Sequence, residues 1–146
     1  MKKFTLWIAG ILGSLSVIAV IAAIVLHNPV ALFVYKTRLT GTILQSDIRI
    51  IETQGVYGKL NGNGNDIQFF VAVLVEAEEA EIAALVAQIE DQYDIVGYQP
   101  QTTTQLDVPY LEHQQLRYET NMMRGNYYTL YLFSTKGSNP LDLLGH

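Results

Sequence analysis

Residues 67–93, IQFFVAVLVEAEEAEIAALVAQIEDQY, hold a strand pattern that passes directly into a helix pattern. Between Phe69 and Val75 apolar side chains occupy both odd and even positions, so the strand is predicted to lie in the centre of a sheet. From Ala77 the apolar residues recur every three or four positions, which predicts an amphipathic helix of about four turns. Because the apolar stripe of such a helix needs a surface to cover, this unit predicts a helix packed on a sheet. The stripe consists of Ala80, Ile82, Leu85, Val86, Ile89 and Tyr93.

The segment before this unit is predicted to supply a first strand. Residues 43–52 alternate in part between apolar and polar side chains, and residues 56–60 continue extended after Gly55. The run from Asn61 to Asn65 contains two Asn-Gly pairs, which reach positive φ at little cost and favour a hairpin turn. We therefore expect this strand to pair with the central strand through a hairpin.

The segment after the helix is predicted to complete the sheet. Residues 94–98 favour a short third strand, whereas Pro109 excludes a regular central strand around it. Residues 115–119 and 126–133 are predicted to form a closing hairpin. The resulting order of strand, hairpin, helix and strand predicts an α+β fold, with a small antiparallel sheet packed on one main helix and a ferredoxin-like tendency.

The composition limits the classes of function. The chain has 146 residues, enough for one small domain, and contains no cysteine, which excludes disulfides, thiolate metal sites and cysteine catalysis. Beyond Leu39 there are five basic residues against fourteen acidic ones, a formal charge of −9. Since nucleic-acid affinity rests mainly on Lys and Arg that neutralise phosphates, no nucleic-acid partner is expected.

Residues 4–26 are predicted to form a transmembrane helix. They are 23 consecutive positions without a charge and would reach about 34 Å as a helix, enough to cross a hydrocarbon core. A cleaved signal peptide is the alternative, but its apolar region is usually only about 7 to 15 residues long, so the length favours a retained signal-anchor. The tetrapeptide Lys3-Phe4-Thr5-Leu6 resembles the start of type IV pilin-like proteins. The small residue before the cleavage point and the glutamate of the mature helix are both missing, so this resemblance implies nothing further.

The pair Asn28-Pro29 is predicted to end or kink the anchor helix. We therefore expect an N-terminal transmembrane anchor over residues 1–27 and a juxtamembrane linker over residues 28–40. A soluble α+β domain should follow over residues 41–136, and a flexible C-terminal tail over residues 137–146.

The orientation of the anchor is predicted from the charges at its two ends. Lys2 and Lys3 precede it, whereas Lys36 and Arg38 follow it, so the positive-inside bias is nearly balanced. Short N-terminal anchors most often leave their leading residues in the cytoplasm. We therefore expect a single-pass protein of the bacterial inner membrane whose acidic domain is periplasmic or otherwise extracytoplasmic.

No catalytic residue, metal site or cofactor is predicted. The loop from Asn61 to Asp66 lacks the ligand spacing of a helix-loop-helix calcium site. Glu112, His113 and Glu119 are weak metal ligands as a set, because adjacent residues on an extended chain point to opposite faces. The glutamates at the start of the helix are expected to form a solvated face near the positive end of the helix dipole.

The strand around residue 130 gives the one candidate functional surface. Both of its faces are apolar or amphipathic, and one helix covers only one face of a sheet. Either residues 99–114 and the membrane-proximal residues cover the other face, or a partner or second copy does. The candidate partner-binding residues are Tyr127, Tyr128, Tyr131 and Phe133.

These observations predict a membrane-anchored, non-enzymatic interaction module of the cell envelope. Its expected partners are the membrane and an envelope protein or a second copy of this chain. An inhibitor or immunity-type protein is a narrower alternative, in which the acidic charge would speed association with a basic partner protein. An enzyme with a site assembled around Glu112, His113 and Tyr118 is the competing class.

Overall fold

The computed structural model describes residues 2–61, 66–112, 114–122 and 125–137. Within these residues the chain forms two helices, a short 3₁₀ turn after the second helix, and four strands. In chain order they are α1 (Lys2–Ile43), β1 (Arg49–Gly58), β2 (Gln68–Glu76), α2 (Glu79–Ile89), β3 (Ile95–Pro100) and β4 (Tyr127–Ser134). The α+β fold class predicted from the sequence is confirmed.

The four strands make one antiparallel sheet with the order β1-β2-β4-β3. β2 is central, as predicted, and its residues from Gln68 to Val75 are all buried. β2 and β3 run in the same direction with β4 between them, and α2 connects them. This split β-α-β unit is a building block of ferredoxin-like folds.

One face of the sheet is covered by both helices, and we call it the helical face. Ile82, Leu85 and Ile89 of α2 pack there, as the apolar stripe predicts. Leu39 and Ile43, at the end of α1, are fully buried in the same cluster. The strand residues beneath them are Val71, Val73 and Val75 of β2 and Leu130 and Leu132 of β4.

The opposite face is covered by the segment between β3 and β4, and we call it the loop face. Phe70, Ala72 and Leu74 of β2 point to it. Residues 99–114 therefore cover the second face, as one of the two alternatives expects, whereas the membrane-proximal residues lie on the helical face instead. The covering residues include Leu106, Val108, Leu111 and Tyr118.

Asn28-Pro29 does not end the helix, one of the two predicted outcomes, because α1 continues through Pro29 to Ile43. The kink, the other outcome, stays a prediction. Residues 28–40, expected as a linker, are therefore helical. An internal proline costs a helix about 3 kcal/mol. Full burial of Leu39 and Ile43 stabilises by about 1.5 to 3 kcal/mol each, so packing on the sheet offsets that cost.

The predicted start of β1 and the predicted strand at residues 115–119 are also wrong. β1 begins at Arg49 rather than at residue 43, because Ile43 ends α1 and its carbonyl accepts hydrogen bonds from the backbone and side chain of Ser46. Residues 115–119 form no strand and contribute a single bridge between Arg117 and Gln105. β4 therefore pairs with β2 and β3 instead of closing a hairpin with residues 115–119.

The predicted turn between Asn61 and Asn65 falls mainly on residues 62–65, which lie outside the described residues, as does the tail beyond Gly137. β1 and β2 on either side of that turn are successive strands and pair antiparallel, as a hairpin requires. The hairpin connection is thus confirmed, whereas the turn itself stays a prediction.

Gly55 of β1 lets α1 lie close against the sheet. A Cβ atom there would stand 3.1 Å from the carbonyl oxygen of Phe70 and 3.3 Å from Cδ1 of Leu32. It would also stand 2.5 Å from Cε of Lys36, which is too close for any real Cβ contact. A side chain at this position would therefore displace the flexible end of Lys36 and crowd Leu32 of α1 and the backbone of β2.

Replacement of Leu39 by alanine tests whether the end of α1 belongs to the core. Leu39 is fully buried, so the free energy of unfolding should fall by about 2 to 5 kcal/mol. Leu44→Ala, at a position 71% exposed, is the matched control and should change it by less than about 0.5 kcal/mol. Denaturant unfolding of the full chain in detergent micelles, followed by near-ultraviolet circular dichroism, measures both. Equal losses in the two variants would contradict the packing described here.

Candidate functional site

The first part of α1 presents a continuous apolar surface. Large apolar side chains are exposed from Trp7, at 74%, to Phe33, at 67%. α1 is long and apolar enough to cross a membrane by length and composition, as predicted from the sequence. Among the described side chains of this stretch, the other large apolar ones that are exposed are Ile11, Leu12, Leu15, Val17, Ile18, Val20, Ile21, Val25, Leu26 and Val30.

The two serine side chains within the apolar stretch have partners inside the helix. The hydroxyl of Ser14 donates to the carbonyl of Gly10, and that of Ser16 donates to the carbonyl of Leu12, both at 2.9 Å. Such bonds to the preceding turn satisfy a hydroxyl where no water is present. The two serines are therefore compatible with an apolar surrounding.

The four candidate residues of β4 do not share one surface. Tyr127, Tyr131 and Phe133 lie on the loop face, whereas Tyr128 lies on the helical face beside Tyr98. Phe133 is buried, and the three tyrosines are half-buried. Strand alternation separates them, because successive side chains point to opposite faces of a sheet. The function of these residues in partner binding stays a prediction.

The half-buried tyrosines of the loop face form what we call the tyrosine patch: Tyr110, Tyr127 and Tyr131. The Tyr131 ring stacks on Phe70 with centroids 6.0 Å apart and lies 6.2 Å from the ring of Tyr110. Gly97 on β3 leaves room for it, since a Cβ atom there would stand 2.7 Å from Cζ of Tyr131. Burial raises the pKa of the Tyr131 hydroxyl, so it stays protonated near neutral pH. The patch combines fixed aromatic area with hydroxyl groups, which is typical of protein-binding surfaces.

A buried chain of hydrogen bonds fastens the covering segment to the sheet. The side-chain amide of Gln101 donates to the carbonyls of Thr103 at 2.7 Å and Gln105 at 2.8 Å. Its oxygen is thus the acceptor for the hydroxyl of Thr129, at 2.9 Å. Because Thr129 has one proton to give, Tyr118 donates to Thr129 at 3.1 Å. Every partner is satisfied, so the chain holds the segment in one position.

This chain of bonds also decides where the hydroxyl of Tyr118 points. Tyr118 is buried, with burial raising the pKa of its hydroxyl, and that hydroxyl faces Thr129 inside the domain. Glu112 is exposed, and His113 lies outside the described residues. Glu112 and the Tyr118 hydroxyl therefore do not converge on one surface cleft.

In the part of the chain that the structure describes, no group of three His, Asp or Glu side chains is arranged to hold a metal ion. The carboxylates at the end of β2 and in the first turn of α2 have local roles instead. The Glu81 side chain accepts a hydrogen bond from the backbone N–H of Glu78, and Glu76 pairs with Arg49 at 2.9 Å.

Glu52 ties the edge strand β1 to the covering segment. Its carboxylate accepts hydrogen bonds from the backbone N–H groups of Glu119, at 2.9 Å, and Thr120, at 3.1 Å. Burial acts to raise the pKa of Glu52, but hydrogen bonds from Gln54, Glu119 and Thr120 outweigh it, so the pKa is lowered. The ionised carboxylate therefore fixes residues 119 and 120 of the covering segment to β1.

Asp94 holds the end of β4 at the start of β3. Its carboxylate accepts hydrogen bonds from the backbone N–H of Thr135 at 2.7 Å and the hydroxyl of Ser134 at 2.9 Å, and Lys136 pairs with it at 3.0 Å. Burial acts to raise the pKa of Asp94, but these hydrogen bonds and the positive charge of Lys136 outweigh it and lower the pKa to about 2. We call Asp94 and residues 134–136 the aspartate clamp.

The chain after β4 runs back along α1 towards its N-terminal end. The hydroxyl of Tyr35 donates to the carbonyl of Lys136 at 2.8 Å. Nε2 of His27, two turns earlier in α1, lies 2.7 Å from the carbonyl of Gly137. A carbonyl only accepts, so Nε2 of His27 carries the proton. These bonds fix residues 134–137 against the helix.

A groove lies between one side of α1 and the turn at Lys136 and Gly137, with a cavity volume of about 540 Å³. Its apolar wall comes from two adjacent rows of α1 residues spaced four apart. The wall residues are Ala22, Ala23, Leu26, Val30, Ala31 and Val34, with His27, Tyr35 and Arg38 from the same rows.

Comparison of this chain with protein-family models, with curated proteins and with solved structures finds no match.

Replacement of Asp94 by asparagine tests the aspartate clamp. Because the folded-state pKa of about 2 lies below the ordinary value, the ionised carboxylate stabilises the fold above about pH 4. This contribution is lost as the pH falls from about 4 to about 2. In Asp94→Asn the free energy of unfolding should be lower at neutral pH and should decline less steeply across that interval.

Asp91→Asn is the matched control, since Asp91 is an exposed carboxylate in the preceding turn. Denaturant titrations at pH 2 to 7 on the wild type and both variants give the comparison. If the free energy of unfolding of Asp94→Asn fell as steeply between pH 4 and pH 2 as that of the wild type, Asp94 would not be the cause of the acid destabilisation.

Proposed function

We propose that this chain is a membrane-anchored, non-enzymatic protein-interaction module, held in the bilayer by α1. The observation that carries the proposal is the continuity of α1, which passes from an exposed apolar surface into the core of the domain without a break. A helix exposed in this way is stable where lipid covers its apolar side chains. The domain is then fixed at the bilayer surface by the same helix.

Anchoring supports binding by a small surface. A protein confined to a membrane meets other proteins of that membrane at a raised effective concentration, so a modest affinity suffices. Because the end of α1 is packed under the sheet, the domain also keeps one orientation towards the bilayer. Orientation lowers the rotational freedom that binding has to remove, which favours a small contact area further.

The tyrosine patch is the surface that we assign to the partner. It lies on the loop face, opposite the face that α1 and α2 occupy, so the anchor leaves it accessible. Tyr127 and Tyr131 are four positions apart on β4 and so stand about 13 Å from each other. We propose a partner protein of the same envelope that contacts both rings.

Site-specific photo-crosslinking tests this assignment. A photoreactive phenylalanine analogue placed at Tyr127 or Tyr131 in the full chain should capture one defined protein in the native membrane. The same analogue at Tyr128, the neighbour on the opposite face, is the matched control and should not capture it. Its capture in equal yield from all three positions, or no protein captured from Tyr127 and Tyr131, would overturn the assignment. Capture of a second copy would replace the heterologous partner with a homo-oligomer.

We further propose that the domain lies outside the cytoplasm, on the periplasmic side of a bacterial inner membrane. The support is the Lys2-Lys3 start followed by an uncharged helix. Protease added to intact spheroplasts should digest the domain. Protection in spheroplasts, with digestion only after lysis, would reverse the orientation.

A further inference from the structure

The groove between α1 and Lys136 is apolar along its length and cationic at one end. Its wall from Ala22 to Val34 is made of alanine, leucine and valine side chains, apart from His27, whose ring is engaged by the carbonyl of Gly137. Arg38 and Lys136 stand at the end nearer the domain. No acidic side chain is among the described residues that line it.

Arg38 is the cation available to a ligand. Lys136 is already paired with Asp94 at 3.0 Å, so much of its charge is compensated inside the aspartate clamp. The Arg38 side chain is exposed and takes part in none of the ion pairs between described residues. A guanidinium group recognises phosphate well, because its fork of donors fits two phosphate oxygens.

The length of α1 places the two ends of the groove at different depths of a bilayer. The positions from Phe4 to Tyr35 carry no Asp, Glu, Lys or Arg and span about 48 Å as a helix, close to the roughly 40 to 45 Å of a bilayer with its headgroups. The Ala22 end of the groove therefore lies among acyl chains when α1 spans a membrane. Arg38 then lies at the level of the headgroups.

We propose that the groove binds one anionic phospholipid, with an acyl chain against the wall from Ala22 to Val34 and the headgroup phosphate at Arg38. This inference rests on the membrane anchoring proposed above. The apolar wall suits an acyl chain, which has no polar group. Arg38 suits the negative charge of the phosphate, which lies at the same depth. A second copy of α1 fits less well, since a twofold contact would bring two copies of Arg38 together.

Native mass spectrometry of the full chain in detergent tests the site with phosphatidylglycerol and phosphatidylcholine of identical acyl chains. The wild type should retain phosphatidylglycerol about fivefold better, the preference expected from one basic side chain worth about 1 kcal/mol. Arg38→Gln should abolish the preference and Arg38→Lys should restore most of it. Arg117→Gln removes an exposed arginine outside the groove and is the matched control; it should keep the preference.

A second pair of variants tests the apolar wall. Ala23→Phe should fill the groove and lower the retention of both lipids several-fold, whereas Ala19→Phe, one turn earlier on the same helix and outside the groove, should not. Glycerol phosphate supplies the headgroup chemistry without acyl chains. It should not displace the bound phosphatidylglycerol at equal concentration.

Several results would overturn the proposal. Equal retention of the two lipids by the wild type would show that the groove does not select an anionic headgroup. Equal losses in Arg38→Gln and Arg117→Gln would leave only general attraction to anionic lipid. Displacement by glycerol phosphate would mean a phosphate site without a lipid. A dimer that Ala23→Phe dissociates and Ala19→Phe does not would assign the groove to a second copy. These measurements use purified protein, so a lost lipid preference with normal membrane retention and normal capture from Tyr127 refutes the lipid site alone.

Discussion

The burial of Leu39 and Ile43 beneath the sheet is the contact on which the rest of the structure depends. These side chains belong to the same cluster as Val73 of β2 and Ile82 of α2, so the end of α1 is part of the hydrophobic core. The burial stabilises helix beyond Pro29, where an isolated chain would tend to break. The exposed apolar stretch of α1 and the folded domain thus share one helix.

This continuity determines how the other contacts are arranged. The aspartate clamp and the hydrogen bonds from Tyr35 and His27 fasten the end of β4 along α1, on the side of the domain nearest the apolar stretch. The groove exists because residues 136 and 137 are held there. On the other side of the sheet, the buried chain from Gln101 to Tyr118 fixes the cover that frames the tyrosine patch.

The sequence predicts the elements whose signal is local and periodic. The change from two-residue to three- and four-residue spacing correctly predicts β2 and α2, and the uncharged run correctly predicts an apolar helix at the N-terminal end. The extension of α1 through Pro29 is not predictable in this way, because it depends on packing with strands that lie far along the chain. The strand predicted at residues 115–119 is wrong for a similar reason, because β4 pairs with β2 and β3, which are distant in the sequence.

The candidate site is predicted only in part. Tyrosine content alone indicates β4, but only the register separates Tyr128 from Tyr127 and Tyr131. Tyr110 is missed because it lies in an irregular segment, next to Pro109, without periodic spacing. The groove is also missed, because its charged rim joins Arg38 to Lys136 across almost the whole domain sequence. The spacing of Leu26, Val30 and Val34, each four residues apart in α1, was the signal that could have indicated its wall.

The distance between spin labels on either side of Pro29 tests the continuity of α1 most directly. The chain has no cysteine, so cysteines introduced at Val17 and Thr37, both exposed, can be labelled specifically in the full chain in a bilayer. One continuous helix predicts a single narrow distribution of distances near about 30 Å, since each helical residue advances about 1.5 Å. A broad distribution with a shorter mean would show a flexible joint at Pro29 and would contradict the account of an anchor and a domain that share one helix.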